Sequence, residues 1–355
     1  MSLYLLKKVG SGFAESAIAL VLGLLIAALL IVAYGYNPAL AYRWLFFGGF
    51  GTASNILDTI SYSIPLMLTG VTFAIGVKAG LFNIGAEGQA YMGAIGAVIA
   101  GALIPKYLGI SGPVLIALVV VFSMGFGLLW SIGPALLKIY RGVHEVISTI
   151  MFNWIAYFLA MYLALHPPLV DPMRSEKTLS LVESARFHIL NPKSILTDAV
   201  FISVGFCVAV YLFLTMTKAG FELRLVGANP DAARYAGVSH SRAMLTSFLI
   251  GGLAAGLGGG LAVAGRPPVW ALYGTLGNVA GIGFDGIGVA LIGRNNPVGI
   301  ILSAIFIGGL WNGSRFMEPY SGVASELSKA INGLIIIMLA IPELWRILSR
   351  IARRR

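Results

Sequence analysis

The sequence predicts an all-α protein: a polytopic bundle of about ten membrane-spanning helices with a weak internal repeat. Composition is the first indication, since 58% of the 355 residues are hydrophobic and only 11% are charged. A soluble domain is about a quarter charged, so this chain cannot cover itself with polar surface. The second indication is a series of uncharged stretches of about 17–25 residues, the length that crosses a bilayer as a helix. The third is a pair of similar glycine-rich segments, each with one acidic residue.

The candidate spans follow from the apolar runs in chain order. The first, from Ser16 to Tyr36, is longer than the apolar core of a secretory signal, so we interpret it as an uncleaved span. The second and eighth runs have glycine-rich flanks, and each is either a full span or a re-entrant segment. The ten spans are 16–36, 61–77, 84–104, 113–136, 146–165, 197–216, 243–264, 272–292, 298–315 and 328–345.

The acidic pair marks corresponding positions in the two halves of the chain. Residues 84–88 read Ile-Gly-Ala-Glu-Gly, and residues 282–286 read Ile-Gly-Phe-Asp-Gly. A carboxylate inside a membrane is costly and usually marks a polar pathway or a helix-end contact. Glycine-broken segments in matching halves are typical of transporters built from repeats. The sequence therefore predicts a protein that moves a solute across a membrane.

Three roles remain open for Glu87 and Asp285. They would be structural groups bonded to helix-terminal amides, ligands of the substrate, or proton- or sodium-coupling groups of a secondary transporter. The neighbouring glycines favour the structural role, because exposed backbone N–H groups stabilise a carboxylate without a cation.

Charge predicts orientation rather than a nucleic-acid partner. The net charge is +10, but the basic residues punctuate the apolar runs instead of forming one patch. Their denser clusters, at 218–242 and at the C-terminus, indicate the cytoplasmic side. We therefore expect a multi-pass protein with both termini and 218–242 in the cytoplasm, and with 166–196 as an outer polar loop. That loop is either a solvated connection or a contact surface for an external partner.

The 218–242 segment contains a short predicted helix. Asn229 is a good N-cap, Pro230 a good first helical residue, and Asp231 complements the helix dipole. Gly237 is suited to end the helix. A helix of about seven residues is marginal alone, so we expect its small face to pack against a cytosolic partner. Its residues are Asn229, Pro230, Asp231, Ala232, Ala233, Arg234, Tyr235 and Gly237, with Ala232 and Ala233 at the contact and Arg234 on its rim.

This helix, with the motif Asn-Pro-x-Ala-Ala-x-x-x-Gly, resembles the coupling segment of ATP-binding-cassette (ABC) importer permeases. The resemblance is to the branch for simple sugars, nucleosides and branched-chain amino acids. Residues 80–89 (Gly-Leu-Phe-Asn-Ile-Gly-Ala-Glu-Gly-Gln) resemble an early motif of that branch. The residues of this motif are most similar to those of nucleoside permeases. Residues 283–297 resemble a later one. The resemblance implies that residues 1–355 form a single transmembrane permease domain working by alternating access.

The resemblance also implies partners. These are cytosolic ATPase subunits, an external substrate-binding protein, and a second permease subunit, often a non-identical one, in a bacterial or archaeal plasma membrane among lipid. The chain's own residues agree that ATP is handled elsewhere, since no Gly-Lys dipeptide is present to build a P-loop. The histidines show no metal-ligand spacing, and we expect no cofactor, metal or catalytic residue in this chain.

A nucleoside presents a stackable base and hydroxyls, so its path should be mildly polar and partly aromatic. Two alternatives stay open: a sugar or branched-chain amino acid permease, or an ion-coupled secondary transporter using Glu87 and Asp285. The candidate path residues are Asn83, Glu87, Gln89, Asn153, Trp154, Asn278, Asp285, Trp311 and Asn312.

Overall fold

A computed structural model describes the backbone of residues 2–352 and the side chains of residues 18–342. The all-α prediction is confirmed: apart from a short hairpin, these residues form helices joined by turns and loops. The helices are α1 Ser2–Ala33, α2 Pro38–Phe50, α3 Ala53–Lys78, α4 Ala86–Val98, α5 Ile104–Leu108, α6 Val114–Arg141, α7 Glu145–Leu165, α8 Ala199–Met216, α9 Lys218–Ala228, α10 Pro230–Tyr235, α11 His240–Ala264, α12 Ile282–Ile292, α13 Pro297–Ser321 and α14 Ser325–Ala352. A π-helical turn, Ile99–Leu103, joins α4 to α5.

Eight of the ten predicted spans are confirmed by length and hydropathy, and the first, 16–36, lies largely in α1, whose side chains are described only from Ile18. Within the described part of the chain, eight helices are long and apolar enough to cross a membrane, counting Ala86–Leu108 as one. The predicted span 61–77 lies within α3, which has 26 residues. The predicted span 272–292 contains only the 11-residue α12, about 16 Å long, or half a bilayer. The loop before α12 is rich in turns and is not helical, so this segment dips into the bundle as a half-helix.

Two helices, α2 and α9, were not predicted from the sequence. Helix α2 follows Asn37, whose side-chain oxygen accepts hydrogen bonds from the amides of Ala39 and Leu40, and Pro38 takes the first helical position. With 13 residues, it is too short to give a span-length apolar run. It packs against α3 and α13.

Small residues bring α11 into the centre of the bundle, between α3, α4 and α6. A Cβ on Gly256 would overlap the backbones of Ser123 and Gly127 in α6, and one on Gly93 of α4 would overlap Gly256 itself. A Cβ on Gly259 would likewise overlap the carbonyl of Ala90. Such approaches let membrane helices gain dispersion contacts along their backbones. The glycines of α11 therefore fix the core on which the shorter helices are mounted.

The two ends of the bundle differ. Helices α9 and α10 form one end, called here the α10 end. The 18-residue α8, about 27 Å long, separates them from residues 166–196 at the opposite end, called the loop end. Residues 166–196 include a two-stranded hairpin, β1 Val170–Asp171 and β2 Arg174–Thr178.

The hairpin region is more than a solvated connection, because it binds the loop that leads into α12. The amide of Thr178 donates to the carbonyl of Leu272 at 2.9 Å, and the amide of Leu181 donates to the carbonyl of Trp270 at 2.8 Å. Residues 166–196 therefore hold the approach to the half-helix in place.

Candidate transport and coupling sites

Helix α10 forms as its capping residues predict. The Oδ1 atom of Asn229 accepts hydrogen bonds from the amides of Asp231 at 3.1 Å and Ala232 at 3.0 Å. Pro230 occupies the first helical position. Gly237 follows the helix with φ of +75°, a left-handed conformation that glycine adopts without strain. Local chemistry thus sets both ends of this six-residue helix.

The face of α10 that packs inward differs from the expectation. Ala233 is fully buried within the chain, against Val226 of α9 and Ala243 of α11. The expectation that its side chain meets the partner is therefore wrong: Ala233 anchors the helix to its own subunit. The outward face carries Asp231, Ala232, Arg234 and Tyr235, and the Tyr235 side chain is 95% exposed.

Helix α9 joins α10 to the turn between α3 and α4. A Cβ on Gly227 of α9 would overlap the carbonyl oxygen of Lys78, and Gly80 lies against Gly227 with φ of +77°. The same turn is held by Glu145 of α7, whose Oε1 accepts from the amide of Phe82 at 3.2 Å. The Oε2 atom of Glu145 pairs with Lys138 at 2.7 Å. Motion of α10 would therefore reach this turn through backbone contacts.

The turn leads directly to Glu87 in the first turn of α4. The Glu87 side chain is 2% exposed, and three donors surround its carboxylate. Its Oε1 accepts from the Tyr91 hydroxyl and the Gly281 amide, both at 2.6 Å, and its Oε2 accepts from the Gly283 amide at 2.7 Å. The two amides belong to the start of α12, so Glu87 caps that half-helix and offsets the positive end of its dipole.

Asp285 lies in the first turn of α12 and has different surroundings. Its Oδ2 accepts a hydrogen bond from the indole Nε1 of Trp311 in α13 at 2.7 Å. Asp285 and Trp311 are both partly exposed, and the neighbouring Phe284 is 50% exposed. The structure therefore joins the Asp285 carboxylate to the Trp311 indole at a place where both side chains are partly exposed.

The side chains of Asn153, Asn312 and Asn278 are bonded to backbone groups of neighbouring segments. Asn153 accepts from the amide of Gly88 and donates to the carbonyl of Ile84, both at 2.9 Å. Asn312 donates to carbonyls of the α2–α3 region, and Asn278 donates to the Ala271 carbonyl at 2.9 Å in the loop before α12. These bonds fix loops and helix ends.

The remaining predicted path residues do not lie together in the fold. Asn83 and Gln89 are buried near Gly85 and Thr149 of α7, and the Asn83 Oδ1 accepts from the Gly85 amide at 2.9 Å. Trp154 lies elsewhere, on an exposed apolar face of α7 with Met151. That face suits lipid contact, so the structure does not bring Trp154 to the acidic pair.

Sequence reasoning missed two contributors to this region. Tyr91, four residues after Glu87 on the same helix face, donates to its carboxylate, and the i, i+4 spacing was the available signal. Thr69 of α3 donates to the carbonyl of Ile282 at 2.7 Å and holds the start of α12 from the other side. In the described residues, no group of three or more His, Cys, Asp or Glu side chains is placed to hold a metal ion.

Residues 55–340 match the family model described as the permease component of branched-chain amino acid transport systems. The chain is 34% identical to the nucleoside ABC transporter permease protein NupB of Lactococcus lactis, over 91% of this chain and 89% of that protein. It is 37% identical to the guanosine ABC transporter permease protein NupP of Bacillus subtilis, over 91% of each chain.

A third relative is the glucose ABC transporter permease protein TsgB13 of Haloferax volcanii, 31% identical over 91% of this chain and 86% of that protein. The family match covers most of the chain and agrees with the bundle of spanning helices around the half-helix α12. The chain belongs to the permease component family of branched-chain amino acid transport systems, and it is a multi-pass ABC transporter permease.

Proposed function

We propose that this chain is the permease subunit of an ATP-driven nucleoside importer. The observation that carries the proposal is that two relatives, 34% and 37% identical over 91% of this chain, are named for nucleoside and guanosine transport. The glucose permease relative is less similar, at 31% identity. Sugar transport is therefore the second candidate cargo.

The proposed assembly follows from the two ends of the bundle. The outward face of α10 receives a cytosolic ATPase subunit, with Tyr235 and Arg234 as its exposed contacts. The loop end, with residues 166–196, receives an external substrate-binding protein. A second permease subunit, identical or not, completes the path. In this orientation both termini are cytoplasmic.

Alternating access then has a physical route through the chain. A push on α10 passes through α9 to the turn at 79–85, where Gly227 meets Lys78. Glu87, which follows that turn, holds the start of α12 by two backbone amides. Rocking of α4 would therefore carry the half-helix with it, opening or closing the path without breaking a buried hydrogen bond.

A proton- or sodium-coupled carrier is the rival mechanism, and the contacts of Glu87 argue against it. Three protein donors occupy its carboxylate, and it is buried. A coupling carboxylate must exchange its ion with water on each side during the cycle. Glu87 has no such access in this arrangement.

The test is uptake by the assembled importer in proteoliposomes, with its binding protein outside and ATP inside. We expect ATP-dependent uptake of radiolabelled guanosine, with little uptake of glucose or leucine. Ionophores that collapse proton and sodium gradients should leave the rate unchanged. Uptake of glucose but not guanosine, or gradient-driven uptake without ATP, would contradict the proposal.

The coupling surface has its own test in a matched pair of tyrosines. Tyr235→Ala removes an exposed ring from α10, whereas Tyr140→Ala removes a 77% exposed ring at the end of α6 on the same end of the bundle. Truncation of an interface aromatic costs roughly 2 kcal/mol or more, so Tyr235→Ala should weaken ATPase association on affinity purification at least tenfold. Equal retention of the ATPase by both variants would remove α10 from the interface.

A further inference from the structure

We propose that Phe284, Asp285 and Trp311 form a cargo-binding surface inside the translocation path, with Asp285 accepting hydrogen bonds from the cargo. This inference rests on the proposed function, because it names the groups with which a nucleoside importer would contact its cargo. It assigns the two acids of the repeat to different tasks, with Glu87 positioning the half-helix that carries Asp285.

Asp285 lies deep in the membrane-spanning part of the bundle. The start of α12 is bonded to Thr69, which lies nine residues before the end of α3 and sixteen after its beginning. At about 1.5 Å per residue, Asp285 is therefore roughly 14 Å from one end of α3 and 24 Å from the other. A carboxylate at that depth is too costly to face hydrocarbon, so its open side must face a polar path.

The Asp285 carboxylate can accept more hydrogen bonds than the one that Trp311 donates. A carboxylate offers about four acceptor positions, and Trp311 fills one of those on Asp285. The ion pairs of Lys138, His144, Lys177, His188 and Lys218 are made with other acidic residues. Asp285 is partly exposed, and Phe284, the residue before it in α12, is 50% exposed. Glu87 provides the contrast, since its bonds are all to inward donors.

The chemistry of Asp285 and its aromatic neighbours indicates which class of solute fits this surface. A partly exposed carboxylate bonded to an indole, with the ring of Phe284 nearby in sequence, suits a neutral, flat solute with adjacent N–H or O–H donors. The rings offer stacking, which every nucleobase accepts. The donors are the N1–H and exocyclic amine of guanine, or the 2′- and 3′-hydroxyls of ribose. The shared chemistry is a donor pair, and the experiment distinguishes its two sources on the same molecule.

The first experiment measures whether the surface at Phe284 is accessible to water. Cys207 is the single cysteine of the chain and is buried, so an introduced cysteine is the reactive one within this subunit, which is separated by gel electrophoresis after labelling. Phe284→Cys in the assembled importer should react with a membrane-impermeant methanethiosulfonate. Val208→Cys, at a 41% exposed position in the middle of α8, is the control for a lipid-facing site. Reaction of Phe284→Cys no faster than Val208→Cys would overturn the proposal.

The second experiment compares uptake by Asp285→Asn and wild type for a set of cargoes, using the same binding protein so that its own specificity cancels in the ratio. Asparagine keeps the size but turns one acceptor into a donor, so the variant-to-wild-type ratio for guanosine should fall about tenfold, as expected for one lost charge-assisted hydrogen bond. Glu318→Gln, the same change at an exposed site on α13, should give a ratio near one.

The cargo analogues identify the donor. For 1-methylguanosine, which lacks N1–H, the ratio rises toward one if Asp285 reads the base edge. For 2′,3′-dideoxyguanosine the ratio rises toward one if it reads the ribose. An equal loss for guanosine and both analogues would mean a structural role and would sink the inference. If wild type carries no nucleoside at all, the proposed function fails instead, whatever the labelling shows.

Discussion

Glu87 and Asp285 occupy matching positions in the sequence repeat, yet the fold gives them opposite surroundings. Both lie in the first turn of a helix, in α4 and α12 respectively. Glu87 is buried and reaches across to the amides of Gly281 and Gly283, so it is bonded to the other repeat segment. Asp285 does not return that contact and bonds instead to Trp311.

The difference shows how one acid of a repeat becomes structural and frees the other. Gly283 packs so closely on the Glu87 backbone that a side chain there would overlap it. This closeness lets the longer glutamate side chain cap the start of α12. Asp285, on the capped helix, is then left partly exposed. If the comparison holds, substitutions around Glu87 should cost stability and those around Asp285 should cost mainly transport.

The largest effect should come from Glu87→Ala. It leaves the Gly281 and Gly283 amides and the Tyr91 hydroxyl without an acceptor, so we expect a loss of about 3 kcal/mol or more in unfolding free energy. Thermal unfolding followed by fluorescence-detected gel filtration measures this loss. Asp285→Ala is the matched variant and should lose about half as much or less. Equal losses would break the comparison.

The next effect should come from Gly283→Ala. The added methyl group overlaps the backbone of Glu87, and overpacking of this kind costs about 1–3 kcal/mol. Gly205→Ala in α8 is the control, because a Cβ there meets nothing within 4 Å. The same thermal assay should show a lower midpoint for Gly283→Ala alone. An unchanged midpoint would mean that α4 and α12 are not held at this distance.

A smaller effect is expected for Tyr91→Phe. It removes one hydrogen bond to Glu87, worth about 1.5 kcal/mol for a charged acceptor, and leaves the two amide bonds in place. Tyr157→Phe is the control, since its ring lies 5.8 Å from that of Tyr91 without bonding Glu87. A loss for Tyr91→Phe no larger than for Tyr157→Phe would show that the hydroxyl contributes little.

The smallest effect on stability should come from Trp311→Phe. It removes the indole donor to Asp285, but Asp285 is partly exposed, so path water replaces the lost bond and the change should stay below about 1 kcal/mol. Trp154→Phe on α7 serves as the control for loss of an indole. A drop in unfolding midpoint as large as that of Glu87→Ala would make Asp285 structural too.

Much of the α10 end followed from sequence, because its signals are local. Asn229, Pro230 and Gly237 act within four residues of their own positions, and the helix begins and ends where they predict. The side of that helix facing inward did not follow. Ala233 is buried because α9 and α11 converge on it, and neither contact is visible within a six-residue segment.

The membrane core shows the same division. Hydropathy identified the long spans, since a 20-residue apolar run has few other uses. It overestimated 272–292, because composition alone does not distinguish a full span from a loop followed by a half-helix. Hydrogen bonds from the distant segment 166–196 hold that loop. Such non-local bonds leave no periodic signal in the chain.

By itself, the sequence determined the all-α class, the spanning segments, the capped helix and the pairing of two acidic segments. Each depends on hydrophobic length or on bonds between near neighbours. Tertiary structure decided which acid is buried and which is partly exposed, because that depends on contacts between Glu87 and glycine amides 194 and 196 residues later in the chain. Burial and distant hydrogen bonds, rather than residue type, separated Glu87 from Asp285.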